Sequence, residues 1–113
     1  MKKVIKPEEK EFVAPTKAED FNGEKTIEHT YPNGSKVIFV LLKKDRIARI
    51  REGKGSDVEK ANMEAGGDQA KYMTAMMAAT VTIDGENVNM FELREGPMSD
   101  FISIQTSFAM LNF

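Results

Sequence analysis

The sequence carries one imidazole, His29, and no cysteine. A histidine base needs a nucleophile to activate and a carboxylate to orient it. Ser35 and Glu28 are the local candidates. His29 lies in a run expected to be a strand, and neighbours along a strand point to opposite faces, which sends Glu28 away from it. A structural strand histidine is therefore the expectation. Without cysteine there is no disulfide, thiolate nucleophile or thiolate metal site, and one histidine excludes a multi-histidine site. Gly53-Lys54-Gly55-Ser56 opens a helix and faintly suggests phosphate binding. A phosphate loop needs its lysine after the second glycine and a strand before the first. Here the lysine comes earlier and a helix is expected upstream, so this is a linker with a helix cap. Asp84-Gly85-Glu86-Asn87 lacks the ligand spacing and closing glutamate of a calcium loop and reads as a turn.

Lys43, Lys44, Arg46, Arg49, Arg51 and Lys54 form a basic stretch. Phosphate contacts along nucleic acid would use such residues, but no aromatic residues interleave them. A solvated helix face is expected, and nucleic acid is not an expected partner. No catalytic, cofactor-binding or metal-binding residue is assigned, no cofactor is implied, and the chain is not expected to be an enzyme.

The methionines point elsewhere. Seven of the eight follow residue 62. Methionine is flexible and polarizable and suits surfaces that re-pack around a partner, although it also fills gaps in ordinary cores. Met73, Met76 and Met77, with Phe101, Ile104 and Phe108, are the candidate protein-binding residues.

Those residues need elements to hold them. Residues 26–31 and 36–42 are rich in β-formers and flank Pro32-Asn33-Gly34-Ser35. Asn-Gly suits a two-residue turn with positive φ at both positions. That turn pairs Tyr31 with Lys36, His29 with Ile38 and Ile27 with Val40, and puts Val37, Phe39 and Leu41 on the opposite face. Both faces of the second strand are apolar, which calls for cover on both sides, by helices or a neighbouring subunit. Helices are expected at 45–52, 57–65, 68–80, 90–95 and 100–111. Ile47 and Ile50 carry the first. Ser56 with Glu59 is read as the capping box of the second, which stops at Gly66-Gly67. Asp68 caps the third, apolar on most of its circumference and hence the central buried helix. Residues 81–83 and 86–88 around Asp84-Gly85 read as a short hairpin or tight turn. Asn89 with Glu92 opens the fourth helix. Ser99 is expected to cap the last, with Phe101, Ile104, Phe108 and Leu111 on one side. The fold class is α+β: an N-terminal β-hairpin followed by a small, mostly helical bundle.

With 113 residues, 41% hydrophobic and 30% charged, the chain is expected to form one domain over 26–113. Residues 1–25 hold six basic and six acidic residues around isolated apolar ones and read as a charged, flexible arm. Residues 26–54 hold seven basic against three acidic, and residues 55–113 three basic against nine acidic. Such a dipole can orient the chain against a partner or a second copy. No apolar run reaches the ~18–20 residues of a membrane helix, and the N-terminus lacks the apolar stretch of a signal peptide.

From Tyr31 onward the order of features resembles the tail assembly chaperone family of Mu-like contractile phages and prophages. The features are Val40-Leu41-Leu42 and then Lys44-Asp45-Arg46 opening a helix. A Gly-Gly-Asp break follows before the alanine-rich helix at 71–80. Ile83-Asp84-Gly85 with Val88 and Met90 comes next, and Ser99-Asp100-Phe101-Ile102 opens the terminal helix. The long charged arm and the methionine richness depart from the family pattern. The resemblance implies a non-catalytic chaperone in the cytoplasm of a bacterial host. It would bind the tape-measure protein until tail-tube protein displaces it. The alternative is a structural adaptor or small subunit of a tail, baseplate or contractile injection machine. A homo-oligomer paired through the hairpin edge is compatible with either.

Overall fold

Turns between β-forming runs organise the chain into one antiparallel sheet. The computed structural model describes residues 12–113. Strands β1 (Thr26–Thr30), β2 (Lys36–Leu41), β3 (Ile47–Arg51), β4 (Val81–Ile83) and β5 (Glu86–Asn87) lie side by side in sequence order. Helices α1 (Gly55–Ala65) and α2 (Gln69–Thr80) are inserted between β3 and β4, and α3 (Met90–Glu95) and α4 (Met98–Asn112) follow β5. The α+β class read from the sequence is the observed one. The hairpin is extended, however, to five strands, and the helices pack on that sheet.

The first hairpin is present but its register differs by one residue from the expected pairing. His29 faces Val37, Ile27 faces Phe39 and Thr30 faces Lys36. The turn is the cause. The Gly34 N–H donates to the Tyr31 carbonyl at 2.8 Å, and the Tyr31 N–H to the Ser35 carbonyl at 2.8 Å. Only Gly34 has positive φ, at 90°. This is a three-residue loop, a type I turn closed by a left-handed glycine. Pro32 favours it because its ring presets the first central φ, and the Asn33 side chain accepts from the Ser35 N–H at 3.0 Å. Ile27, His29 and Tyr31 consequently share a face with Val37 and Phe39, not with Ile38 and Val40.

The expected helix at 45–52 is strand β3, paired to β2 with Phe39 opposite Arg49 and Val40 opposite Ala48. Ile47 and Ile50 satisfy a helical spacing, but they are buried on opposite faces of the sheet, in two different clusters. Lys44 and Asp45 form the β2–β3 turn, with φ of 60° and 57°. The Leu42 N–H donates to the Arg46 carbonyl at 2.8 Å, so the loop is the three residues Lys43 to Asp45, with two successive left-handed residues and neither glycine nor asparagine. The Lys44-Asp45-Arg46 helix start of the resemblance is thus a turn into a strand.

β2 is covered on both sides, as its composition requires. On one side Ile38, Val40, Ala48, Ile50 and Val81 meet Met77, Leu93, Ile104 and Phe108 from the helices. On the other, Val37, Phe39 and Ile47 meet Phe21. Phe21 closes a one-turn helix, Ala18–Phe21, and is 1% exposed. Asp20 steadies that turn, its carboxylate accepting from the N–H groups of Thr16 at 2.9 Å and Lys17 at 3.2 Å. The Thr16 bond is the main reason the Asp20 carboxyl is held below its ordinary pKa. Phe12 stacks on His29 with ring centroids 3.8 Å apart. Within the described residues the expected flexible arm is therefore a strap across the sheet. Burying Phe21 is worth roughly 1.5–3 kcal/mol, and the strap adds the Phe12 stack and the Asp20 hydrogen bonds. Residues 1–11 of that expected arm lie outside the described residues.

The remaining element ends hold with two changes. Gly66 ends α1 in a left-handed conformation, Asp68 caps α2 through the Ala70 N–H at 2.9 Å, and Asn89 and Glu92 form the reciprocal cap of α3. Asp84 and Gly85 make a tight β4–β5 turn, both at positive φ. α1 begins at Gly55 with Lys54 at its N-cap position, two residues before the expected Ser56 cap, and Asp57 accepts from the Lys54 N–H at 2.8 Å. α4 begins at Met98 with Pro97 at its N-cap position, not with Ser99 as cap.

Candidate protein-docking surface

The six candidate residues are brought together, but inward. Met77, Ile104 and Phe108 belong to the core between sheet and helices, and Met73, Met76 and Phe101 lie partly buried at its edge. The stripe at 101, 104, 108 and 111 was legible from its spacing; its direction was not, since spacing alone does not say what the stripe faces.

The exposed apolar side chains lie elsewhere. On α4, Met98 is 78% exposed, Ile102 50%, Met110 63% and Phe113, just past its end, 80%. Phe91 on α3 and Met63 on α1 are also exposed. Through α4 the single charged side chain is Asp100, and it is buried. Gln105 and Thr106 supply the polar atoms mid-face. The available signal was this absence of exposed charge over residues 98–113 in a chain that is otherwise 30% charged.

α4 is pinned at both ends. In its first turn the Asp100 carboxylate accepts from the Lys43 N–H at 3.1 Å and pairs with the Arg46 guanidinium at 3.4 Å. In its last turn the Asn112 amide accepts from the Gly53 N–H at 2.7 Å and donates to the Phe108 carbonyl at 3.0 Å. Both anchors reach the links at either end of β3, so the outer face of α4 is presented on a fixed base.

A second cross-brace ties the sheet to the helical hairpin. Arg51 meets Asp57 through two bonds of 2.9 Å and also donates to the Ala79 carbonyl at 2.8 Å. The paired guanidinium, reinforced by the Lys54 N–H, holds the Asp57 carboxyl below its ordinary pKa, and the carboxylate raises that of Arg51.

The other motifs are used locally. His29 lies between the rings of Phe12 and Tyr31, edge-on to the latter at 4.6 Å. Asp84 accepts from the Ile47 N–H at 2.9 Å. The basic stretch does not form the expected helix face: Arg46 turns to Asp100, Arg51 to Asp57, and Arg49 lies on the strap side of the sheet. There Arg49 lines an open cleft of 450 Å³ with Phe39, Ile47 and Thr82. Among the described residues no cluster of three or more potential metal ligands occurs, and no helix is long and apolar enough to cross a membrane.

No protein-family model matches the chain, and no curated protein or solved structure matches it.

Proposed function

We propose that this chain is a phage or prophage tail assembly chaperone, a non-catalytic module that holds the tape-measure protein until tail-tube protein displaces it. The observation that carries the reading is the outer face of α4: apolar, free of exposed charge and fixed at both ends. A long helical client presents apolar stripes, and a helix face of this kind packs against such a stripe. One helix face makes a weak site. Many copies along one long client act together, while each remains easy to displace.

The client surface in this reading is Met98, Ile102 and Met110, the exposed apolar residues of α4, rather than the six residues in and around the core. The resemblance supports the same function through the features that persist as structure: the Gly-Gly-Asp break, the Asp84-Gly85 turn and the terminal helix.

The test is an affinity pull-down of tagged protein from producing cells, with purified finished particles analysed by mass spectrometry. Recovery of a long tape-measure-like protein, with this chain missing from the particles, is the expected result. Presence in the particles at fixed stoichiometry overturns it and makes the chain a structural subunit.

A further inference from the structure

One row of side chains crosses the whole sheet on the strap side. Ile27, Phe39, Arg49, Thr82 and Asn87 are successive cross-strand partners from β1 to β5, and such partners share a face. The row changes character along its length. Its apolar end lies under the strap, where Phe39 packs with Phe21 and Phe12. At its polar end Arg49 and Thr82 are half-buried and Asn87 is exposed. The 450 Å³ cleft opens where the two ends meet, bounded by Pro15 of the strap and Asp84 of the β4–β5 turn. Sites for small molecules span ~300–1,000 Å³ and pair a mainly apolar lining with a few placed polar groups.

We propose that this cleft binds a singly charged carboxylate with an apolar body, the carboxylate on Arg49 and Thr82 and the body against Phe39, Ile47 and Pro15. Charge selects the anion. Arg46 and Arg51 are held in ion pairs with Asp100 and Asp57, and among the described residues Arg49 is in none. A guanidinium presents a planar fork of donors that matches a carboxylate. Thr82 stands directly across the ladder from Arg49, with Cβ atoms about 4.5–5.5 Å apart in such a pair, so its hydroxyl and the guanidinium reach one carboxylate together. The local charge also limits the ligand to one negative charge. Asp84 is the other charged residue of the lining, and its carboxylate is already engaged by the Ile47 N–H at 2.9 Å. A dianion such as a phosphate ester meets Asp84 with one guanidinium to balance both, whereas Arg49 neutralises a monoanion. The body follows from the rest of the lining. Phe39, Ile47 and Pro15 are held in place by burial and offer a fixed apolar surface to a flat aromatic or branched aliphatic group. The cleft lies on the strap side of the sheet and α4 on the other, so ligand binding here is independent of client capture.

NMR titration of the isotope-labelled full chain with naphthylacetate tests the proposal. Saturable shifts are expected at the backbone amides of Ile47, Arg49, Thr82 and Asp84, with those of α4 unmoved. Naphthylethanol keeps the body without the carboxylate, acetate keeps the carboxylate without the body, and naphthyl phosphate is a dianion. Each should bind at least about tenfold more weakly. Arg49→Gln should weaken naphthylacetate by about tenfold to a hundredfold, and Thr82→Val by less. The amide spectrum of each variant reports its fold, and Thr82→Val with the ligand series decides if Arg49→Gln loses the native spectrum. A peptide ending in a free phenylalanine carboxylate distinguishes the source of the ligand. Binding tighter than that of naphthylacetate marks a chain end, and weaker binding a free acid. The proposal is overturned by the absence of saturable shifts or by shifts centred away from the cleft. Equal binding of naphthylethanol or naphthyl phosphate overturns it as well, as does undiminished affinity in a natively folded Arg49→Gln chain.

Discussion

The carboxylate of Asp100, in the first turn of α4, accepts a hydrogen bond from the backbone N–H of Lys43, which opens the β2–β3 turn. The two residues are 57 positions apart. Between Lys43 and Arg46, Lys44 and Asp45 both sit in the left-handed region, where an L-residue with a side chain is disfavoured by roughly 1–2 kcal/mol. A terminal helix thus holds a strained turn in place from outside. Lys44→Asn with Asp45→Gly should relieve the strain and stabilise the fold by about 1 kcal/mol. Asp100→Ala should destabilise it by about 1–3 kcal/mol, since the Lys43 N–H loses its acceptor. Urea unfolding of the variants checks both signs. A destabilised Lys44→Asn/Asp45→Gly protein would show that the turn is not strained.

The Arg51–Asp57 brace makes stability depend on pH in a defined direction. The folded carboxyl of Asp57 sits below its ordinary value of 3.8. Its contribution is therefore complete above the unfolded pKa and is lost as pH falls through the lower folded one. Asp57→Asn should cost about 1–3 kcal/mol near neutral pH. The gap between the two proteins should close as pH drops below about 4. Paired denaturation curves from pH 7 to pH 2.5 measure it; a gap that is constant over that range refutes the assignment.

The methionines divide into two populations that the same substitution separates. Met77 is fully buried and Met110 is 63% exposed. Met77→Ala should destabilise by about 2–5 kcal/mol through the cavity it leaves, and Met110→Ala by no more than about 0.5 kcal/mol. Equal losses would mean that the outer face of α4 is part of the monomer's core.

Phe12 stacks flat on His29, with 10° between the ring planes. The ring current of the phenyl group should shift the His29 Hε1 or Hδ2 resonance upfield, and Phe12→Ala should return it toward the free-imidazole position. An NMR spectrum of the two proteins decides whether the strap lies on the sheet in solution.

The α+β class, the turn at Asp84-Gly85 and most helix ends were legible because each depends on a local signal: a cap, a stop or a turn pair. β3 was not. A strand buried on both faces loses its alternation, and Ile47-Ala48-Arg49-Ile50 then satisfies a helical spacing as readily as a strand. The hairpin register was missed because Asn33-Gly34 was read without Pro32, whose preset φ favours the longer loop. The role of Asp100 left no local trace at all, as its partners are Lys43 and Arg46, brought near only when α4 crosses the sheet. The strap left only the isolated Phe12 and Phe21. For the candidate docking surface, charge rather than hydrophobicity was the readable signal. The apolar residues of α4 serve both sides of the helix, and only the missing lysines and glutamates distinguish the outer one.

Each strand of the sheet pairs with its neighbour in the chain, and short turns join three of those four pairings. Chains whose contacts are mainly local fold fast, in milliseconds or less for many small domains. A ribosome, by comparison, adds roughly 5–20 residues per second. This protein would be folded almost as soon as it is released.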